Sequence, residues 1–243
     1  MITPTAPRAA FFDLYGTLID IRTDEDDPGT YATLSQFLAY SQVVISPADL
    51  AREYRDRVRS HLARSGERFP EVDVCAVFRE IVKAYRRPLS DGGPDPADAA
   101  RLFRALSRRR FSPFPGVHQA LACLRSKYRL GLISDAQWVF TEPELEMAEL
   151  DGFFSATVLS SRVGVRKPDV RPFAVAMRAL GATPDASVYV GDNPSRDLVG
   201  ARNAGMRCVL FRGGDLSHPA GAPDAYFDDY AELEPILDRL LAG

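Results

Sequence analysis

Asp13 closes the apolar run Ala9-Ala10-Phe11-Phe12 and is followed at once by Leu14-Tyr15-Gly16-Thr17. A lone carboxylate at the end of a buried strand, just before a Gly turn, is how a chain presents an aspartate nucleophile at the rim of a parallel sheet. Further polar stations stand at comparable places. Ser134 ends the run Arg129-Leu130-Gly131-Leu132-Ile133, and Asp192 follows Val188-Tyr189-Val190-Gly191, with Asp197 behind it. Lys167 precedes a helix in Gly164-Val165-Arg166-Lys167-Pro168-Asp169. One polar residue at a strand end is ordinary. These types in this order are not.

The elements that must position them read as an alternation. Short apolar strands are expected at Ala9–Leu14, Arg129–Ser134, Ala156–Ser160, Ser187–Gly191 and Cys208–Phe211. Amphipathic helices near 117–126, 140–149, 170–180 and 196–204 separate the later ones, a pattern of βαβ units around a parallel sheet. Between residues 21 and 112 the texture differs. Helices are expected near 30–44, 47–65, 71–86 and 95–109, with Ser46-Pro47 and Asp95-Pro96 as start signals. No convincing strand interrupts that stretch. The fold expected is therefore an α/β core, a Rossmann-like parallel sheet with helices on both faces. The core comprises 1–20 and 113–243 and is interrupted by an all-helical insert at 21–112.

Composition narrows the classes of function. The chain has 243 residues, 46% of them hydrophobic, and a net charge of −3, which gives no bulk attraction to nucleic acid or to an anionic membrane. Cys75, Cys123 and Cys208 form no Cys-x-x-Cys pair, and reduced thiols suit the cytoplasm. MITPTAPRAA holds no apolar targeting core, and no run approaches a membrane span. The expectation is a cytoplasmic protein that acts on a small anionic molecule, as a monomer or a homodimer.

The ordered motifs Asp13-x-Tyr15-Gly16-Thr17, Ser134, Lys167-Pro168 and Gly191-Asp192-Asn193 through Asp197 resemble those of haloacid dehalogenase-superfamily hydrolases with an inserted helical cap. The resemblance spans residues 9–212. It implies that Asp13 forms a covalent aspartyl intermediate, that Thr17 orients it, and that Ser134 donates to a transferring phosphoryl oxygen. It implies that Lys167 neutralises charge shared by nucleophile and substrate. It also implies Mg²⁺ as cofactor, held by the Asp13 carboxylate, the Tyr15 carbonyl and Asp192, with Asp197 as an outer partner or a direct ligand.

Tyr15 departs from the phosphatase form of the motif, in which a second Asp protonates the leaving group; a phenol is a poor general base at neutral pH. Asp-x-Tyr-Gly-Thr resembles the 2-haloacid dehalogenases, where halide leaves without a proton. Those enzymes need no Mg²⁺ and have no acid at the metal station, whereas Asp192 is present here. No arginine lies between Arg22 and Arg52, where they carry the cap arginine that holds substrate, and Asp135 replaces their Asn after Ser134. Mg²⁺-dependent hydrolysis of a small phosphorylated metabolite is the expectation. Dehalogenation is the alternative, and a binding or regulatory protein of this fold with little turnover is a third.

Within the insert, Arg68 in Arg64-Ser65-Gly66-Glu67-Arg68-Phe69-Pro70 is the first candidate for contact with a substrate anion, against a solvated loop. Leu14, Asp135, Gln137 and Trp138 are placed to line the substrate pocket, although Asp135 equally suits a turn cap. The Trp138–Met147 region suits packing on the core or on a partner. Arg108-Arg109-Arg110 reads as solvated charge at a helix end, and Gly213-Gly214-Asp215 as a turn. His61, His118 and His218 show no paired-ligand spacing.

Overall fold

In the computed structural model, residues 7–87, 93–211 and 221–242 are described. Gly213-Gly214-Asp215 and His218 lie outside them. The chain opens with β1 (Ala9–Phe12), then β2 (Ile19–Thr23). Helices α1 (Pro28–Tyr40), α2 (Pro47–Arg64), α3 (Val74–Tyr85) and α4 (Pro96–Ser107) follow, and β3 (Arg108–Pro113) returns. The remainder alternates: α5 (Val117–Leu124), β4 (Arg129–Ser134), α6 (Trp138–Met147), β5 (Ala156–Leu159), α7 (Ser160–Val163), α8 (Val170–Leu180) and β6 (Ser187–Gly191). A π-turn at Pro194–Leu198 leads into α9 (Val199–Asn203), then β7 (Arg207–Phe211), β8 (Ala225–Phe227) and α10 (Leu233–Leu241).

The main sheet is parallel throughout, in the order β5-β4-β1-β6-β7-β8. β1 pairs with β4 on one side and β6 on the other, so the strand order reverses at the strand that ends in Asp13. Such a switch point opens a crevice at the carboxyl ends, where ligands of open α/β sheets bind. Consecutive residues of β1 serve opposite faces. Phe12 packs with Leu132, Val190 and Leu237, while Phe11 packs with Ile133, Phe173 and Tyr189.

The helices between β2 and β3 have an apolar cluster of their own. Leu34, Leu38, Phe78, Ile81 and Phe103 are buried together, with Tyr54 stacked on Phe78 at 5.5 Å. Each helix start is built as the sequence reads. Ser46 accepts from the Asp49 amide ahead of Pro47, and Asp95 accepts from the Ala97 amide ahead of Pro96. Val139 of α6 joins this cluster and Leu145 joins that of the sheet, so α6 bridges the helices and the sheet.

Strands flank the helical stretch, and one expectation is corrected. β2 and β3 pair antiparallel, and both boundaries read from composition fall within them. Arg108, Arg109 and Arg110 belong to β3 instead of a helix end; Arg109 and Arg110 are exposed as expected, and each of the three meets an acid, Glu144, Asp27 and Asp20 respectively. β8 is a further strand that the sequence does not announce. Elsewhere the predicted elements stand, with ends shifted by a few residues. No helix among the described residues is long and apolar enough to cross a membrane.

Candidate active site

The loop after β1 holds Asp13 by its backbone, whose amide donates to the Val190 carbonyl at 2.9 Å. Asp13 is 7% exposed. Lys167, 3% exposed, reaches it from the loop before α8, with Nζ 2.9 Å from Asp13 Oδ1. The same ammonium donates to Asp197 Oδ1 at 2.6 Å and to the Tyr189 hydroxyl at 2.8 Å, so all three of its protons are used. Burial opposes charge on Lys167, but the carboxylates of Asp13, Asp197 and Asp135 outweigh it and hold its pKa above the usual lysine range. Burial also pushes the Asp13 carboxyl upward, against the pull of Lys167.

Gly16 has φ +88°, and a Cβ there would lie 2.5 Å from Asp192 Oδ2. Only glycine allows the β1 loop to lie this close to the β6 loop. Thr17 Oγ1 then donates to Asp192 Oδ1 at 3.0 Å, so the threonine expected to orient Asp13 binds Asp192 instead. Tyr230, far along the chain, donates to the Thr17 carbonyl and fixes the turn from behind. At Gly191 a Cβ would meet Asp197 at 2.5 Å, a second close approach.

Asp197 is fully engaged. Oδ1 accepts from Lys167 and from the Tyr189 hydroxyl at 3.2 Å, and Oδ2 accepts from the amides of Asp192 at 3.1 Å and Asn193 at 2.9 Å. It therefore braces the Asp192 loop and Lys167. Asp192 differs: its side chain accepts from Thr17 and has no ion-pair partner among the described residues. Burial, then Asp13 and Asp197, push its carboxyl up to about 7. Oxygens of Asp13, Asp192 and Asp197 lie within 4.8 Å of one another. Oxygen donors packed this closely, one of them without a counter-charge, fit a hard divalent cation.

Ser134 is 3% exposed at the end of β4, two strands from Asp192 and next to β1. Asp135 follows; its Oδ1 accepts from the Lys167 amide at 2.8 Å, and Arg196 stands 4.0 Å from Oδ2. A cavity of about 440 Å³ lies between the sheet and the helices, walled by Tyr15, Tyr54, Glu71, Arg104, Asp135 and Gln137 among others. Asp13 is not among its lining residues, and Tyr15, two residues on, is. Gln137 ties the two sides, donating to the Val72 carbonyl at 2.7 Å and accepting from the Val74 amide at 3.0 Å. Trp138 opens α6 with Arg162 over its ring. Leu14 is fully buried in the apolar core.

Arg68 is exposed, with its guanidinium 5.1 Å from the Phe69 ring and no place in the cavity wall. The loop around it docks on the core through the Glu67–Arg171 pair and the Phe69 carbonyl, which accepts from the Arg166 amide at 2.8 Å. The arginines that line the cavity are Arg166, Arg196 and, from α4, Arg104. Arg104 is the one fixed beside Tyr15. It grips Glu144 of α6 through both oxygens at 2.9 and 3.0 Å, and Glu144 in turn accepts from the Tyr15 hydroxyl. Tyr189, Arg104 and Glu144 were not read from the sequence. A signal for the last two exists: Arg104 sits on the buried stripe Ala100-Phe103-Ser107, and Glu144 on Thr141-Leu145-Ala148, where an unpaired charge has no place.

The haloacid dehalogenase-like hydrolase family profile matches residues 7–205. This chain belongs to that family. It is a hydrolase. It is 36% identical over 160 residues to a phosphoserine phosphatase of Thermus thermophilus, a match covering 64% of this chain and 64% of that protein. It is 29% identical over 242 residues to a glyceraldehyde 3-phosphate phosphatase of Methanopyrus kandleri, covering 96% of this chain and 98% of that one. Among solved structures, a 2-haloacid dehalogenase of Pseudomonas syringae superposes with TM-score 0.64 at 23% identity, covering 96% and 99% of the two chains. At that identity the likeness speaks for the fold alone.

Proposed function

We propose that this haloacid dehalogenase-like hydrolase removes phosphate from a small phosphorylated metabolite in a Mg²⁺-dependent reaction. The observation that carries the proposal is Asp192, a half-buried carboxylate beside Asp13 with no ion-pair partner among the described residues. The names of the relatives, phosphatases of phosphoserine and glyceraldehyde 3-phosphate, point the same way. The core is residues 1–20 and 113–243, and 21–112 form a cap that closes over the strand ends and excludes water.

Asp13, the Tyr15 carbonyl and Asp192 would hold Mg²⁺, with Asp197 as the outer partner that fixes the loop. When bound, the cation would neutralise charge on the nucleophile and the phosphoryl oxygens. Asp13 attacks phosphorus and forms an aspartyl phosphate, which water then cleaves. Lys167 keeps Asp13 ionised and faces the incoming anion, and Ser134 donates to a phosphoryl oxygen. Thr17 orients Asp192. Asp135 lines the route to the cavity.

The deciding assay measures phosphate release from a metabolite panel with Mg²⁺ and with EDTA, alongside halide release from 2-chloropropionate. Phosphate release that EDTA stops is expected. Halide release that survives EDTA would sink the proposal.

A pH dependence follows from Asp192. Burial and the neighbouring carboxylates push its carboxyl up to about 7 in the folded chain, from 3.8 ordinarily. Between those values the folded state holds a proton that the unfolded state has lost, so metal-free stability falls as pH rises through that window. A cation binds the ionised form and opposes the fall. Thermal melts are expected to show a larger Mg²⁺ stabilisation at about pH 8 than at about pH 5. The same Mg²⁺ shift at both would count against Asp192 as a ligand.

A further inference from the structure

The Tyr15 phenol stands two residues from the nucleophile and lines the cavity, yet its proton is already committed. The hydroxyl donates to Glu144 Oε2 and lies 3.1 Å from Thr141 Oγ1. Glu144 is 3% exposed and held by both guanidinium arms of Arg104, with Arg108 3.4 Å from Oε1. The Arg104 guanidinium also lies 5.1 Å from the Tyr15 ring centre and 4.6 Å from that of Phe140. Three elements thus fix the phenol with its hydrogen aimed at an ion-paired carboxylate. A proton used there is not available to an oxygen leaving from phosphorus.

The cavity wall also carries Glu25, Tyr54, Glu71 and Asp135, all further along the chain from Asp13 than Tyr15. Glu71 accepts from the Ser160 hydroxyl at 2.6 Å and from the Val72 amide at 2.8 Å, and Asp135 accepts from the Lys167 amide.

We infer that the site offers the leaving group no proton from Tyr15. Its substrates are then phosphate compounds whose leaving group departs as a stable anion, namely acyl, enol or aryl phosphates rather than alkyl phosphate esters. The inference rests on the phosphatase reading above. In the first step an Asp13 oxygen bonds to phosphorus while the bond from phosphorus to the leaving oxygen breaks. The electron pair stays on that oxygen, which departs as carboxylate, enolate or phenolate. In the second step water bonds to phosphorus and the Asp13–phosphorus bond breaks with its electron pair returning to the carboxylate. The proton of that water leaves with the phosphate. Glu144 and Arg104 are positioning residues that act through Tyr15.

The test uses the full chain with Mg²⁺ and measures phosphate release from acetyl phosphate, p-nitrophenyl phosphate and ethyl phosphate. General-acid catalysis is commonly worth about 10²–10⁴-fold, so kcat/KM for ethyl phosphate is expected to fall at least ~100-fold below the other two. Tyr15→Phe should slow all three by one common factor and keep their ratio. Glu144→Gln, which removes the charged acceptor and loosens the phenol, should narrow it. Rates within about threefold of one another, or a ratio that Tyr15→Phe widens by ~10-fold or more, would overturn the inference. An unchanged ratio in Glu144→Gln would overturn the role given to Glu144. Phosphate release from none of the three would overturn the phosphatase reading itself.

Discussion

Asp13→Asn is expected to abolish turnover while leaving the fold intact. The amide keeps the shape of the carboxylate but has no charged oxygen to bond to phosphorus. Losses for a missing nucleophile run to the order of 10⁴-fold or more in kcat. Stability should not follow. Burial already disfavours the charged form of Asp13, and Asp197 and Asp135 repel it. Lys167 would keep its bonds to Asp197 and Tyr189. A neutral side chain at 13 therefore removes repulsion at the site without orphaning the ammonium. Phosphate release and a thermal melt on the same preparation check both halves. Activity close to that of the unaltered protein would remove Asp13 from the reaction, and a collapsed melt would mean that its role is structural.

Lys167→Met should fail on both counts. The ammonium, 3% exposed, lies between Asp13 and Asp197. Methionine has similar length and no charge, so the two acids would face each other with nothing between them. Breaking a buried pair from one side commonly costs about 3–5 kcal/mol, because the remaining charge is uncompensated. Loss of the cation that faces the substrate should lower kcat by about 10²–10³-fold. Urea titration reads the first effect and steady-state rates the second. A variant that is stable and slow would make Lys167 catalytic without a structural share. A variant that is stable and active would contradict both roles.

The contrast between these two residues reflects what a sequence exposes. Asp13, Ser134, Lys167 and Asp192 are legible because each follows a short apolar run or a loop motif, and parallel sheets place such residues together. The alternation of strands and helices also carried the sheet. What one sequence does not display is the partner of each group. Asp197 reads as a metal ligand or an outer partner until its two oxygens are seen to take four donors. Thr17 reads as a partner of Asp13 until the Gly16 turn brings Asp192 against it.

β2 and β3 went unread for a different reason. They are half exposed, joined by pairing and by the Asp20–Arg110 contact rather than by burial, so their hydrophobic pattern is weak. The most consequential omission was Arg104. It lies far beyond the stretch between Arg22 and Arg52, where the resemblance places a cap arginine, and its meaning comes from Glu144, 40 residues later. Tyr15 raised the right question from sequence alone. Its answer, a phenol turned toward Glu144, needed the fold.

The identity of the atom that water attacks separates the phosphatase from the dehalogenase most directly. Turnover in heavy-oxygen water, with acetyl phosphate and Mg²⁺ or with 2-chloropropionate, is followed by mass analysis of the released phosphate and of the peptide containing Asp13. An aspartyl phosphate opened at phosphorus puts the label in phosphate and leaves Asp13 unlabelled, which is the result expected. An aspartyl ester opened at its carbonyl carbon puts the label in Asp13. Label accumulating in Asp13 together with halide release would contradict phosphoryl transfer through this site.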